Sequence, residues 1–202
     1  MNGPVALVDY GAGNLQSVRN ALKAAGAENV VVTADPDAVA AADRIVLPGV
    51  GAFAHCMNSL SAIGGMIEAL EAATGSGGKP FLGICVGMQL MAEAGEEHGN
   101  HPGLGWIKGV VRPMSGSDQV KIPHMGWNDV RPVDAHPLIR AGEAYFLHSF
   151  AFEGEGVLAQ TSHGGQVVAA IGDGNRIGVQ FHPEKSQHYG LEFLSRFLEW
   201  KP

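Results

Sequence analysis

The stretch FLGICVGMQLM, residues 81–91, decides how the chain is read. An apolar run suited to a buried strand ends in Cys85, and the pattern that follows turns helical at once. Gly83 and Gly87 stand two positions before and after the cysteine, so the backbone can turn sharply and project the sulfur outward. A cysteine at such a corner is either a packed filler or a nucleophile, and the surrounding sequence has to decide between them.

Working outward, short apolar runs alternate with helical patterns. VALVDY (residues 5–10) is a strand, and NLQSVRNALKAAGA (14–27) has helical spacing with Gly26 as its cap. NVVVTAD (29–35) precedes a helix opened by Asp35 and Pro36, and RIVLPG (44–49) is the next strand. HCMNSLSAIGGMIEALEAA (55–73) reads as one helical stretch, with GSGGKP (75–80) as the loop that returns the chain to PFLGIC (80–85). This alternation predicts an α/β fold, an open and mostly parallel sheet with helices on both faces.

Beyond the helix that starts near Val86 the character changes. GWIKGVVRPM, WNDVRPV, AYFLHSF, GVLAQTS, QVVAAIG and RIGVQF are strand-like runs separated by turns. They predict an antiparallel strand extension folded onto the parallel core, closed by the amphipathic helix GLEFLSRFLEW (190–200). No repeat, low-complexity segment or linker interrupts the pattern, so residues 1–202 are expected to form a single domain.

Composition narrows the classes of function. With 46% hydrophobic and 16% charged residues, 202 residues can bury one sizeable core. The 13 basic and 20 acidic residues give a net charge of -7, which opposes nucleic acid and anionic membrane. Two cysteines are too few for a disulfide framework, and MNGPVALVDYG offers neither a basic leader region nor a long apolar run. No stretch approaches the ~20 apolar residues that span a bilayer. The expectation is a cytoplasmic protein with reduced thiols.

The corner at Cys85 carries chemistry if it has a base. A helix beginning at the next residue directs unpaired N–H groups toward the sulfur, and the Val86 N–H faces any oxyanion formed at an attacked carbonyl. In IGVQFHPEKS (177–186), His182 follows a strand-like run, and an extended backbone would project Glu184 to the same side. That carboxylate would set the imidazole tautomer, completing a triad. In LPGVGAF (47–53) two glycines let the backbone approach a ligand, making the amides near Val50 and Gly51 candidates for the other half of an oxyanion hole. Each piece alone also reads as an ordinary strand-helix loop.

Taken together, PGVGAF, GICVGMQLM and GVQFHPEKS, in that order, resemble the class I, triad-type glutamine amidotransferases. The resemblance implies a flavodoxin-like sheet, Cys85 as attacker of the glutamine side-chain amide, His182 as proton shuttle and Glu184 as its orienting partner. It implies further that Gln89, His148, Ser149 and Phe150 hold the two ends of the substrate, and that no cofactor is called on. DYGAGNLQSV (9–18) and KIPHMGWNDV (121–130) are similar to one branch, the glutaminase subunits of imidazole glycerol phosphate synthases in histidine biosynthesis. That branch implies a heterodimer with a cyclase subunit that receives the ammonia, with Asn14, Trp127, Tyr145 and Lys185 near the interface. Val86 departs from the leucine more usual at its position, and GAFAHCM varies after its first three residues.

Rival readings remain on the same residues. YGAGNLQ lacks the third glycine of a dinucleotide-binding loop, since Gln16 stands in its place. The histidines and cysteines show no metal-ligand spacing, and His98 and His101 have no nearby cysteine, so no metal is expected. A cysteine hydrolase of another substrate would use the same elbow, as would the glutaminase of another synthase. Cys56 reads as helix packing, and His124 either meets a partner or satisfies a loop carbonyl.

Overall fold

Strands with no polar face to present must be covered on both sides, and the first half of the chain is built that way. Strand β1 (Val5–Val8) is wholly buried. Helix α1 (Leu15–Ala24) is capped by Asn14, whose side chain accepts from the Ser17 N–H, and Gly26 follows it at φ +110°. Strand β2 (Val30–Thr33) leads to α2 (Pro36–Ala41), opened by Asp35 and Pro36 as the sequence predicts. Strand β3 (Arg44–Gly49) is again buried throughout. The computed structural model describes residues 3–118 and 120–202; Met1 and Asn2, which begin the N-terminal stretch read above, and Gln119 lie outside the described residues.

The stretch expected as one helix is two, α3 (Phe53–Ser61) and α4 (Met66–Thr74). Gly65 takes φ +82° between them, a left-handed conformation that ends any helix, and the preceding Gly64 adds no side chain to resist the break. Strand β4 (Phe81–Cys85) then enters the centre of the sheet. The helix after it, α5 (Val86–Gln89), has only four residues. Its sequence favours a longer helix, but the carbonyls of Leu90 and Met91 accept from the N–H groups of Leu104, Trp106 and Ile107, which turns the buried chain away from the helix. The chain runs on through the core into β5 (Ala92–Gly95), β6 (His101–Pro102) and β7 (Ile107–Pro113).

Strands β8 (His124–Pro132), β9 (Gly142–His148), β10 (Phe150–Gly154), β11 (Val157–Ser162), β12 (Gln166–Asp173) and β13 (Arg176–Val179) follow, then a 3₁₀ turn at Pro183–Lys185 and α6 (Gln187–Glu199). The described residues form a nine-stranded sheet ordered β2-β1-β3-β4-β13-β12-β11-β8-β9. The strands from β2 to β13 are mutually parallel, and the remainder are antiparallel. The antiparallel strands therefore lengthen the parallel sheet edge to edge, and only β10, β7, β5 and β6 form a separate sheet. Helix α6 buries Phe193, Leu194 and Phe197, each worth ~1.5–3 kcal/mol of burial. Arg44 secures its end, donating to the carbonyls of Phe197 at 3.1 Å and Trp200 at 2.8 Å.

Candidate active site

The sharp turn forms where the sequence places it. Cys85 has φ +55° and ψ −110°, a region that side chains with a Cβ seldom occupy, so the surrounding packing holds it there against strain. That packing needs both flanking glycines. A Cβ on Gly83 would come within 2.6 Å of the Gly87 carbonyl oxygen, and one on Gly87 would collide with the carbonyl of Leu47. Because α5 has a single turn, it supplies a few free N–H groups rather than a long helix dipole, a reduction from the sequence expectation.

His182 reaches the corner from the neighbouring strand. β13 pairs in parallel with β4, Val179 opposite Ile84, and three residues later the chain delivers the imidazole. His182 is 2% exposed and its backbone is extended, with φ −99° and ψ 97°. Glu184 does not meet it along an extended strand as anticipated. The 3₁₀ turn carries the carboxylate back, and His182 Nδ1 donates to Glu184 Oε1 at 2.8 Å. Ser186, which the sequence reading missed, locks this turn by donating to the His182 carbonyl at 2.6 Å. Burial works against the charged imidazole, but hydrogen bonds to Cys85 and Glu184 outweigh it and raise His182 to about 9.

The third strand end brings Gly49 opposite Cys85 in register. Two buried side chains fix the backbone beyond it. The Tyr10 hydroxyl donates to the Pro48 carbonyl at 2.7 Å, and the Cys56 thiol to the Val50 carbonyl at 3.5 Å. In a trans peptide N–H opposes C=O, so the Gly51 N–H faces away from Cys56. Cys56 is fully buried, as expected of a packing residue, and burial pushes its thiol up to about 11.

A cavity of about 310 Å³ opens over these pieces. Cys85, His182, Val50, Gly51, Val86, Gln89, His148, Ser149 and Phe150 all line it, with Glu97, Pro123, Leu147 and Lys185. Glu184 lies behind His182, with its side chain 2% exposed. Glu97 went unread because it sits in the polar run GEEHG, which resembles a solvated loop; it also accepts from the Phe53 N–H at the start of α3, at 2.7 Å. Among the described residues no group of three or more His, Cys, Asp or Glu is placed to hold a metal ion.

One wall is a chain of hydrogen bonds whose directions can be derived. The Phe150 carbonyl can only accept, so His148 Nδ1 donates to it at 2.8 Å; the Ser162 carbonyl, at 2.9 Å, likewise fixes Asn128 Nδ2 as a donor, so His124 Nε2 accepts, its Nδ1 carries the proton and His148 Nε2 must accept. His124 Nδ1 donates to that Nε2 at 2.9 Å, and Asn128 Nδ2 donates to His124 Nε2 at 2.9 Å. Both imidazoles are therefore neutral, in agreement with burial and repulsion from neighbouring histidines lowering each to about 4. His124 thus bonds to a histidine and an asparagine from within β8, rather than to a loop carbonyl.

The four residues expected at an interface divide. Trp127 is half exposed and packs edge-on against Tyr145 at 6.2 Å, and Lys185 Nζ lies 5.8 Å from the Tyr145 ring centre. Met125, 65% exposed, extends this surface. Asn14 is exposed and caps α1, which packs against the 3₁₀ turn that contains Lys185.

A sharp turn that ends a central parallel strand in a cysteine, with a carboxylate-bonded histidine on the neighbouring strand's end, defines the class to which the comparisons lead. The family profile described as Glutamine amidotransferase class-I matches residues 6–200, and the chain belongs to this family. Within it, the chain is 65% identical to the protein named "Imidazole glycerol phosphate synthase subunit HisH" from Zymomonas mobilis subsp. mobilis, over 98% of this chain and 96% of that one. It is 50% identical to the protein of the same name from Rhodopseudomonas palustris, over 98% and 99%. The solved structure titled "Crystal structure of glutamine amidotransferase" superposes with a TM-score of 0.74 at 20% identity, over 96% of this chain and 97% of that one. At that identity the likeness establishes the fold, the α/β sheet the sequence predicts. No helix among the described residues is long and apolar enough to cross a membrane.

Proposed function

We propose that this chain is the glutaminase subunit of imidazole glycerol phosphate synthase, releasing ammonia from glutamine for histidine biosynthesis. The observation that carries the chemistry is that Cys85 and His182 line one cavity while Glu184 is hydrogen-bonded to His182 from behind. The relatives at 50–65% identity over nearly the whole chain support the pathway.

The cavity suits an amino acid. Glu97 offers a negative charge for an α-ammonium and Lys185 a positive one for an α-carboxylate, while Gln89, His148, Ser149 and Phe150 add polar groups between them. Cys85 gives its proton to His182, and the sulfur bonds to the side-chain amide carbon. The oxygen of that carbon takes up negative charge, and the N–H groups of Val86 and Gly51, both lining the cavity, are the donors we assign to it. The C–N bond breaks as His182 protonates the nitrogen, and ammonia leaves. Water then attacks the thioester and passes a proton to His182; the sulfur departs, and glutamate is released. Glu184 holds Nδ1 throughout, so Nε2 is the nitrogen that exchanges the proton.

The partner is a cyclase subunit docked over Trp127, Tyr145 and Lys185, beside the cavity mouth that Lys185 also lines. Ammonia formed at Cys85 leaves toward that surface. Purified chain mixed with cyclase subunit and its nucleotide substrate should turn over glutamine, and Cys85→Ala should stop that turnover while leaving synthesis from added ammonia intact. Glutamine turnover that survives Cys85→Ala would exclude this mechanism.

A further inference from the structure

One fully enclosed polar side chain touches the sulfur without a task so far. Gln180 is 0% exposed and lies just past β13, two residues before His182. Residues two apart in extended backbone share a face, and both side chains arrive at Cys85. Gln180 Nε2 lies 3.7 Å from Sγ, and the same sulfur interacts electrostatically with His182.

The orientation of the Gln180 amide follows from its neighbours. The Phe150 carbonyl accepts from His148, and Gln89 Nε2 donates to the same oxygen at 3.1 Å. Turning the Gln89 amide over would set two acceptors against each other, so its nitrogen must face Phe150. The same nitrogen donates to Gln180 Oε1 at 3.0 Å. Gln180 therefore has its oxygen committed to Gln89 and can offer the sulfur only N–H. While Cys85 is a thiol, its single S–H can point to the Leu147 carbonyl at 3.8 Å or turn to His182. Once that proton has moved to His182, the carbonyl repels the sulfur and the Gln180 N–H attracts it.

We propose that Gln180 is a positioning residue of the glutaminase reaction: its N–H, aimed by Gln89 and the Phe150 carbonyl, holds the deprotonated Cys85 sulfur in place for attack. The proposal rests on the glutaminase reading, and its test separates the two. Gln180→Met keeps the length and removes the donor; Gln180→Glu keeps the shape and replaces the donor with an acceptor. Alkylation of Cys85 in the full-length chain by iodoacetamide, followed by peptide mapping from pH 5 to 10, needs no glutamine.

Both variants should react about tenfold more slowly at neutral pH, with the midpoint of the profile moved upward. In the complex with the cyclase subunit, kcat for glutamine should fall about ten- to a hundredfold while KM stays within about threefold. A folded variant with the wild-type alkylation profile overturns the proposal. If neither variant folds, the wild-type chain still decides it: the Gln180 side-chain amide resonances should shift when Cys85 is alkylated, and resonances that stay put overturn it. A wild-type complex that ignores glutamine, together with slowed alkylation in Gln180→Met, would remove the glutaminase reading and leave standing only the hold of Gln180 on the Cys85 sulfur.

Discussion

At the scale of single residues, the imidazoles set opposite pH limits. His182 is raised to about 9 in the fold from an ordinary 6.5, so the stability it contributes is present in full below 6.5 and is lost as pH rises through about 9. His124 and His148 are lowered to about 4, so their contribution is full above 6.5 and is lost as pH falls from there toward 4. Melting temperature plotted against pH should therefore peak near 6.5 and decline on both sides, and His182→Asn should flatten the alkaline side only. Ammonia release should decline above about 9, where His182 no longer holds the proton for the leaving nitrogen. Because the bond to Glu184 helps to raise His182, Glu184→Gln should move that decline to lower pH. It should also cost kcat about a hundredfold, read from initial rates across the pH range.

At the scale of elements, the elbow is a junction of β3, β4 and α5 that leaves no room for a side chain at position 87. Gly87→Ala should lose about 1–3 kcal/mol in urea denaturation, because the backbone of Leu47 cannot retreat from the added methyl without moving β3. How far such features could be read in advance depended on their range. RIVLPG gave β3 to the residue and Gly26 marked the end of α1, since strand burial and helix capping are written locally. The early end of α5 was not legible, because the groups that claim the Leu90 and Met91 carbonyls, the N–H groups of Leu104, Trp106 and Ile107, lie more than a dozen residues further on. Cys85, His182 and Glu184 were named from short motifs. Gln180 stood in the same motif, two residues from His182, but a glutamine in an apolar strand signals nothing until its partners Gln89 and Cys85 are seen.

At the scale of the molecule, the surface around Trp127 argues for a partner, since a half-exposed tryptophan beside an exposed methionine has more apolar area than a solvated face needs. Trp127→Ala should weaken binding of the cyclase subunit by about 2 kcal/mol in calorimetry while leaving the melting temperature of the free chain within about a degree. Glutamine-dependent synthesis should fall with it, and synthesis from added ammonia should not. The order of strands has one more outcome, in time rather than in space. β13 lies between β4 and β12, at the seam where the parallel strands meet the antiparallel ones, and it carries His182. As the polypeptide leaves the ribosome, Cys85 emerges 97 residues before His182, and β4 lacks its β13 neighbour until that late strand has been made. A nascent chain, or a fragment that ends before residue 182, therefore holds Cys85 without the imidazole that meets it in the fold.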